Sequence, residues 1–103
     1  MNKYTELSDF EINKKVAVAL GLISEVTHYG VVAKSNNKDY GFEFDPCNNP
    51  SDAMPIIIEN EISMIKSSGG WMCGSGWNVA ENKNPLRACM EAFLMIKDTE
   101  NEG

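Results

Sequence analysis

Four residues in the second half of the chain, Trp71, Trp77, Asn84 and Arg87, carry the side chains best suited to recognising a ligand. Each indole offers a stacking face and one N–H donor, and the neighbouring glycines permit close approach. Asn84-Pro85 reads as a helix start, whose free N–H groups and positive dipole end suit an anion, with Arg87 one turn inside. A base stacked on an indole and a phosphate held by Arg87 and the helix start are what these residue types supply together. Asn49-Pro50 is a second start of the same kind. Both features also have ordinary uses, since large aromatics fill the cores of small domains and Asn caps helices.

Reaction chemistry is harder to assemble. Ser75, in Cys73-Gly74-Ser75-Gly76-Trp77, lacks the outer glycines of a nucleophile elbow, and the nearby glycines match neither a phosphate loop nor a dinucleotide fingerprint. They read as turns or a bulge. His28 is the only histidine, and no acidic pattern has calcium-loop spacing, so neither a metal nor a cofactor is expected and His28 reads as a partly exposed strand residue. Cys47, Cys73 and Cys89 are an odd number at wide spacing, expected to be free thiols acting as small apolar groups. No acid and base are matched for general catalysis, and the expectation is a protein that is not an enzyme.

The elements that must position these residues are legible in part. Ser8-Asp9-Phe10-Glu11 has the spacing of a capping box, Ile12, Val16, Ala19 and Leu20 recur at helical period, and Gly21 supplies a left-handed stop, which predicts a helix from Asp9 to Leu20. From Ile23 to Phe44 β-formers dominate on either side of a polar Ser35-Asn36-Asn37-Lys38 turn, a hairpin. Asn49-Pro50 opens a second helix over Ser51–Glu61, weakened by Pro55. Ile62–Lys66 and Trp71–Val79 form a second strand pair around Ser67-Ser68-Gly69-Gly70. Leu86, Cys89, Met90, Phe93 and Leu94 give the last helix, Pro85–Lys97, the broadest apolar stripe and the deepest burial. The expected fold is α+β, an antiparallel sheet of about four strands with helices packed on it, in the order α-ββ-α-ββ-α. Residues 1–97 make one domain without internal repeats, and the acidic 98–103 reads as a disordered tail.

The chain has 103 residues, with 9 basic against 15 acidic side chains and a net charge of −6. No basic stripe could track phosphates, so duplex nucleic acid is excluded as a partner. No apolar run suits a signal peptide or a membrane span, and a cytoplasmic protein is expected. Six methionines on so short a chain suggest adaptable apolar surface and a homo-oligomer, most simply a two-fold dimer.

Three strings, Leu7-Ser8-Asp9-Phe10-Glu11-Ile12-Asn13-Lys14, Phe44-Asp45-Pro46-Cys47-Asn48-Asn49-Pro50-Ser51-Asp52-Ala53 and Glu81-Asn82-Lys83-Asn84-Pro85-Leu86-Arg87-Ala88, resemble the phage NinX family. Members of that family often carry Trp where this chain has Met54. The resemblance implies a small accessory protein of temperate phages of enteric bacteria, encoded among genes that counter or redirect host systems, and it implies no activity. Two functions follow as expectations. In the first, the protein sequesters a nucleotide-derived signalling molecule at Trp71, Trp77, Asn84 and Arg87, as an anti-defence sponge. In the second, it is an acidic interaction module that inhibits a host protein. The spread of acids along the chain, from Glu6 to Glu91, favours the first.

Overall fold

The computed structural model describes residues 2–35 and 41–102. Helix α1 (Asp9–Ala19) begins as the Ser-x-x-Glu spacing dictates: Ser8 Oγ accepts from the Glu11 N–H and the Glu11 carboxylate accepts from the Ser8 N–H, both at 3.1 Å. Three strands follow, β1 (Ile23–Thr27), β2 (Gly30–Lys34) and β3 (Phe42–Glu43), in a sheet of order β1-β2-β3. Helix α2 (Pro50–Glu59) starts on Asn49, whose side chain accepts from the Ser51 N–H. A second sheet has the order β4-β5-β6, from β4 (Ser63–Ser67), β5 (Gly70–Ser75) and β6 (Asn78–Asn82). Helix α3 (Pro85–Glu102) closes the fold.

The α+β class therefore holds, but the strands form two three-stranded antiparallel sheets, in the order α-βββ-α-βββ-α, where one sheet of about four strands was expected. The extra strands come from two turns. His28-Tyr29 reverses the chain with little turn signature of its own, because Thr27 makes the turn: its Oγ1 accepts from the Tyr29 N–H and donates to the Gly30 carbonyl, both at 3.1 Å. His28 thus lies exposed in a turn and not in a strand. Gly76-Trp77 reverses the chain between β5 and β6, Gly76 supplying the positive φ of 61° that the first position of a II′ turn requires. The turn expected at Ser35–Lys38 falls largely on residues 36–40, outside the described residues.

A repeat absent from the sequence is present in the backbone. α1 ends in a Schellman motif, with Gly21 N–H bonded to the Val18 carbonyl and Leu22 N–H to the Ala17 carbonyl. At a constant offset of 40 residues, α2 ends the same way, Glu61 on Ile58 and Ile62 on Ile57. The hairpins that follow reverse at equivalent places, Thr27 opposite Gly30 and Ser67 opposite Gly70. Glu61 takes the left-handed conformation, φ 53°, that Gly21 takes at 79°.

α3 is the centre of the molecule. It lies against β5 and β6 on one side and against α1 and α2 on the others, and every residue from Arg87 to Leu94 is buried. One cluster links Ile12 and Val16 of α1, Val31 and Ala33 of β2, Ile56 and Ile57 of α2, Cys73 of β5 and Phe93 of α3. The segment expected to be a disordered tail continues the helix to Glu102. Asp98 accepts from the Tyr4 hydroxyl and pairs with Lys3 at 3.1 Å, which gives the last turns a tertiary anchor that composition does not reveal. No helix among the described residues is long and apolar enough to cross a membrane.

Two stability measurements follow. Phe93→Ala removes a side chain with no exposed surface and should cost about 3–5 kcal/mol in urea unfolding. Glu61→Gly relieves a left-handed residue and should gain about 0.5 kcal/mol, net of the glycine's greater freedom when unfolded, whereas Gly21→Ala should lose about 1 kcal/mol. A stabilising Gly21→Ala would contradict the helix end described.

Candidate functional site

Arg87, the chain's only arginine, is just 6 % exposed. Its Nε donates to Glu91 Oε2 at 2.7 Å and its Nη1 to Asp9 Oδ1 at 2.7 Å. Its Nη2 donates to the carbonyls of Tyr4 at 3.0 Å and Leu7 at 2.7 Å. Burial opposes the charge, but the Asp9 and Glu91 carboxylates outweigh it and hold the guanidinium more firmly protonated than usual. The fork is engaged inside the protein, so the phosphate contact expected of Arg87 is replaced by a structural one. Asn84 is likewise internal: its Oδ1 accepts from the Leu86 N–H at 3.0 Å, capping α3, while its Nδ2 donates to the Cys47 carbonyl at 2.6 Å.

The tryptophans lie elsewhere. Trp71 is on the inner face of β5, half-buried against the core, with the Lys66 ammonium 6.0 Å from its ring centroid. Trp77 stands at the tip of the β5–β6 turn, 99 % exposed. Asn84 and Arg87 share a neighbourhood, and the structure does not gather all four residues around one pocket.

The residues around Asn84 and Arg87 form a hydrogen-bonded junction. Asn13 of α1 donates to Asp45 at 2.8 Å and accepts from the Cys47 N–H at 3.1 Å. Asn48 donates to Asp9 at 3.2 Å and to Asp45 at 3.1 Å, and accepts from Asn84 at 3.3 Å. Asp52 accepts from the Asp45 N–H at 2.9 Å, folding the loop back on the start of α2. Asp9, Asn13, Asp45 and Asn48 were not singled out from sequence. The available signal was their position in the three strings of family likeness, all of which meet here. Among the described residues no buried side-chain N or O lacks a partner, so the buried part of the junction is satisfied internally, while Asn48 lies exposed at its rim. Burial, assisted by Asp9, pushes the Cys47 thiol up, and burial also raises Cys73 and Cys89, which leaves all three thiols protonated and weakly nucleophilic.

A family model described as Bacteriophage P22, NinX matches residues 3–97. The chain belongs to the NinX family. A comparison with curated proteins finds no match. In this NinX protein, Met54 lies on the solvent side of α2 with Ile58.

What the NinX fold leaves available is its surface, and two clefts differ in chemistry. The first, about 590 Å³, runs between α1 and the C-terminal half of α3 and is lined by Lys14, Lys15, Val18, Leu94 and Lys97, among others. The second, about 280 Å³, lies on the outer face of the second sheet, with Ser63, Ile65, Met72 and Val79 around Gly74. A Cβ at Gly74 would meet the Asn78 carbonyl oxygen at 2.2 Å, so glycine is required for the two strands to approach there. The corresponding outward positions of the first sheet are Ile23, Glu25, Val32 and Lys34, a mixed, charged surface. At the offset of 40, Glu25 and Lys34 become Ile65 and Gly74, and the charges disappear.

Arg87→Ala strands Glu91 and should cost about 3–5 kcal/mol, while replacing both Arg87 and Glu91 by Met should recover much of that loss in the same unfolding assay. Asp98, bonded to the Tyr4 hydroxyl and then Lys3, is held below the usual carboxylate range. A depressed pKa stabilises the fold at neutral pH, and that share is lost as the pH falls below the ordinary Asp value of 3.8. Tyr4→Phe should therefore lower Tm at pH 7, and the gap to the parent should narrow steadily toward about pH 2.

Proposed function

We propose that this NinX protein works by binding, without chemistry, in the cytosol of the host cell, and that its principal contact is the outer face of the second sheet with Trp77 docking on a host protein. The observation that carries the reading is Trp77, 99 % exposed beside a sheet face on which Ile65 is 61 % exposed and Met72 and Val79 are also exposed. A solvated indole next to contiguous apolar side chains is the composition of an interface centre. Glu61 and Glu81 lie exposed at its edge, and the net charge of −6 suits a partner with a basic surface. Lys66, the one lysine on these strands, is turned back onto the carbonyls of Ser67 and Gly70 at 2.9 and 3.1 Å. Inhibition of the host protein is the expected consequence.

The second reading, sequestration of a nucleotide-derived signalling molecule, loses Arg87 as its phosphate ligand. What favours it is the lysine-lined groove between α1 and α3.

A photo-crosslinking amino acid in place of Trp77, introduced in host cells, tests the first reading. The expected product is a discrete adduct with one host protein, and Trp77→Ala should weaken binding to that protein at least tenfold. Adducts formed only with a second copy of the chain, together with a light-scattering mass of twice 11.4 kDa, would assign the face to self-association instead. Absence of any adduct would overturn the reading.

A further inference from the structure

We propose that the groove between α1 and the C-terminal half of α3 binds a small phosphorylated ligand with an apolar body, of about the size of a nucleotide. Lys14, Lys15 and Lys97 line it, with Glu11 and Asp98 as its only carboxylates among the described residues. Three amines against two acids reverse the sign of a protein whose net charge is −6.

The state of those acids sharpens the contrast. Glu11 accepts from the Ser8 N–H in the capping box, and Asp98 accepts from the Tyr4 hydroxyl and pairs with Lys3 at 3.1 Å. Lys97 reaches Glu100 at 3.2 Å on the exposed rim. Lys14 and Lys15 have no carboxylate within salt-bridge distance among the described residues. Among the described residues the groove thus offers two ammonium groups outside any ion pair, of which Lys15 also acts at longer range on Glu11 and Asp98, and a third whose partner is solvated and exchangeable.

Between the amines lies an apolar strip of Val18 and Ala19, with the buried Leu94 beneath it, Val18 being 61 % exposed. A phosphate alone needs only the amines; the strip adds a surface for the flat or apolar part of a larger molecule. The volume of about 590 Å³ falls within the range that holds nucleotide-sized ligands. Lysines act here as point charges, so the site selects for phosphate charge and for an apolar body more than for the precise geometry of either. It shares no lining residue with the Trp77 face and stands or falls separately from docking there. It gives the sequestration reading a location without depending on it.

Calorimetry with ADP, inorganic pyrophosphate and adenosine, each without divalent metal, tests the site on the whole chain. ADP should bind saturably at low salt, at least tenfold tighter than either pyrophosphate or adenosine, and more weakly as salt rises. Lys14→Glu combined with Lys97→Glu should weaken ADP at least tenfold, while Lys34→Glu, on the first sheet, leaves it unchanged. Amide and methyl NMR shifts on ADP addition should cluster at Lys14, Val18, Leu94 and Lys97, a readout independent of any loss of stability in the variants. Pyrophosphate binding as tightly as ADP would overturn the apolar share of the proposal. Absence of ADP binding at millimolar concentration, or shifts centred elsewhere, would overturn the whole, and neither result bears on crosslinking from Trp77.

Discussion

The guanidinium of Arg87 is the constraint around which the molecule is arranged. A buried cation must find acceptors, and this one finds them on two pieces of chain: the segment Tyr4–Asp9, through the Tyr4 and Leu7 carbonyls and the Asp9 carboxylate at the start of α1, and its own helix, through Glu91 one turn further along α3. Each partner is fixed in place by the others. Asp9 also meets Asn48, and Asn48 meets Asn84, so the same set of bonds reaches the loop before α2 and the cap of α3. Buried ion pairs add little net stability against an apolar substitute, but removing one member is costly. Arg87 therefore acts as a specifier of arrangement, and the apolar side chains of α3 supply the cohesion.

Elements governed by neighbours in sequence were legible in sequence. The Ser8–Glu11 box, the Asn caps of α2 and α3 and the stripe from Leu86 to Leu94 all rest on contacts within a few residues, and they appear where expected. What could not be read depends on distant partners. Arg87 inside a capped helix start has the composition of an anion site, and only the acceptors 78 to 83 residues away turn it into a structural group. Asp98-Thr99-Glu100 has the composition of a tail, and the Tyr4 hydroxyl makes it a helix. Glu61 conceals the second Schellman end because it occupies a left-handed position by tertiary compulsion where a glycine would have announced it. The backbone repeat was hidden for the same reason: the two halves share a path and almost no side chains, Gly30 and Gly70 being an exception.

That repeat also frames the two surfaces. Where the first sheet turns charged residues outward, the second turns out Ile65, Met72 and Val79, and the same backbone thus carries a solvated face once and an apolar face once. The lysine-lined groove belongs to neither sheet and is made by the approach of α1 to α3. An acidic molecule can in this way hold a locally positive cleft and an apolar face with an acidic edge on separate parts of a single small core, because electrostatic influence between exposed charges is screened over about 8 Å in physiological salt.

The long separation between Arg87 and its acceptors has a consequence for synthesis. Residues Tyr4 to Asp9 are made well before the group that secures them, which follows 78 to 83 residues later. Until α3 emerges, α1 has its own capping box and the first hairpin but no central helix to lie against, and the apolar faces of both stay open. Closing so large a loop is entropically unfavourable and becomes worthwhile only when several bonds form together. Arrival of α3 is thus the committing event of vectorial folding, and a nascent chain halted before Arg87 would present chaperones and proteases with a helix and hairpins that have nothing to hold them together.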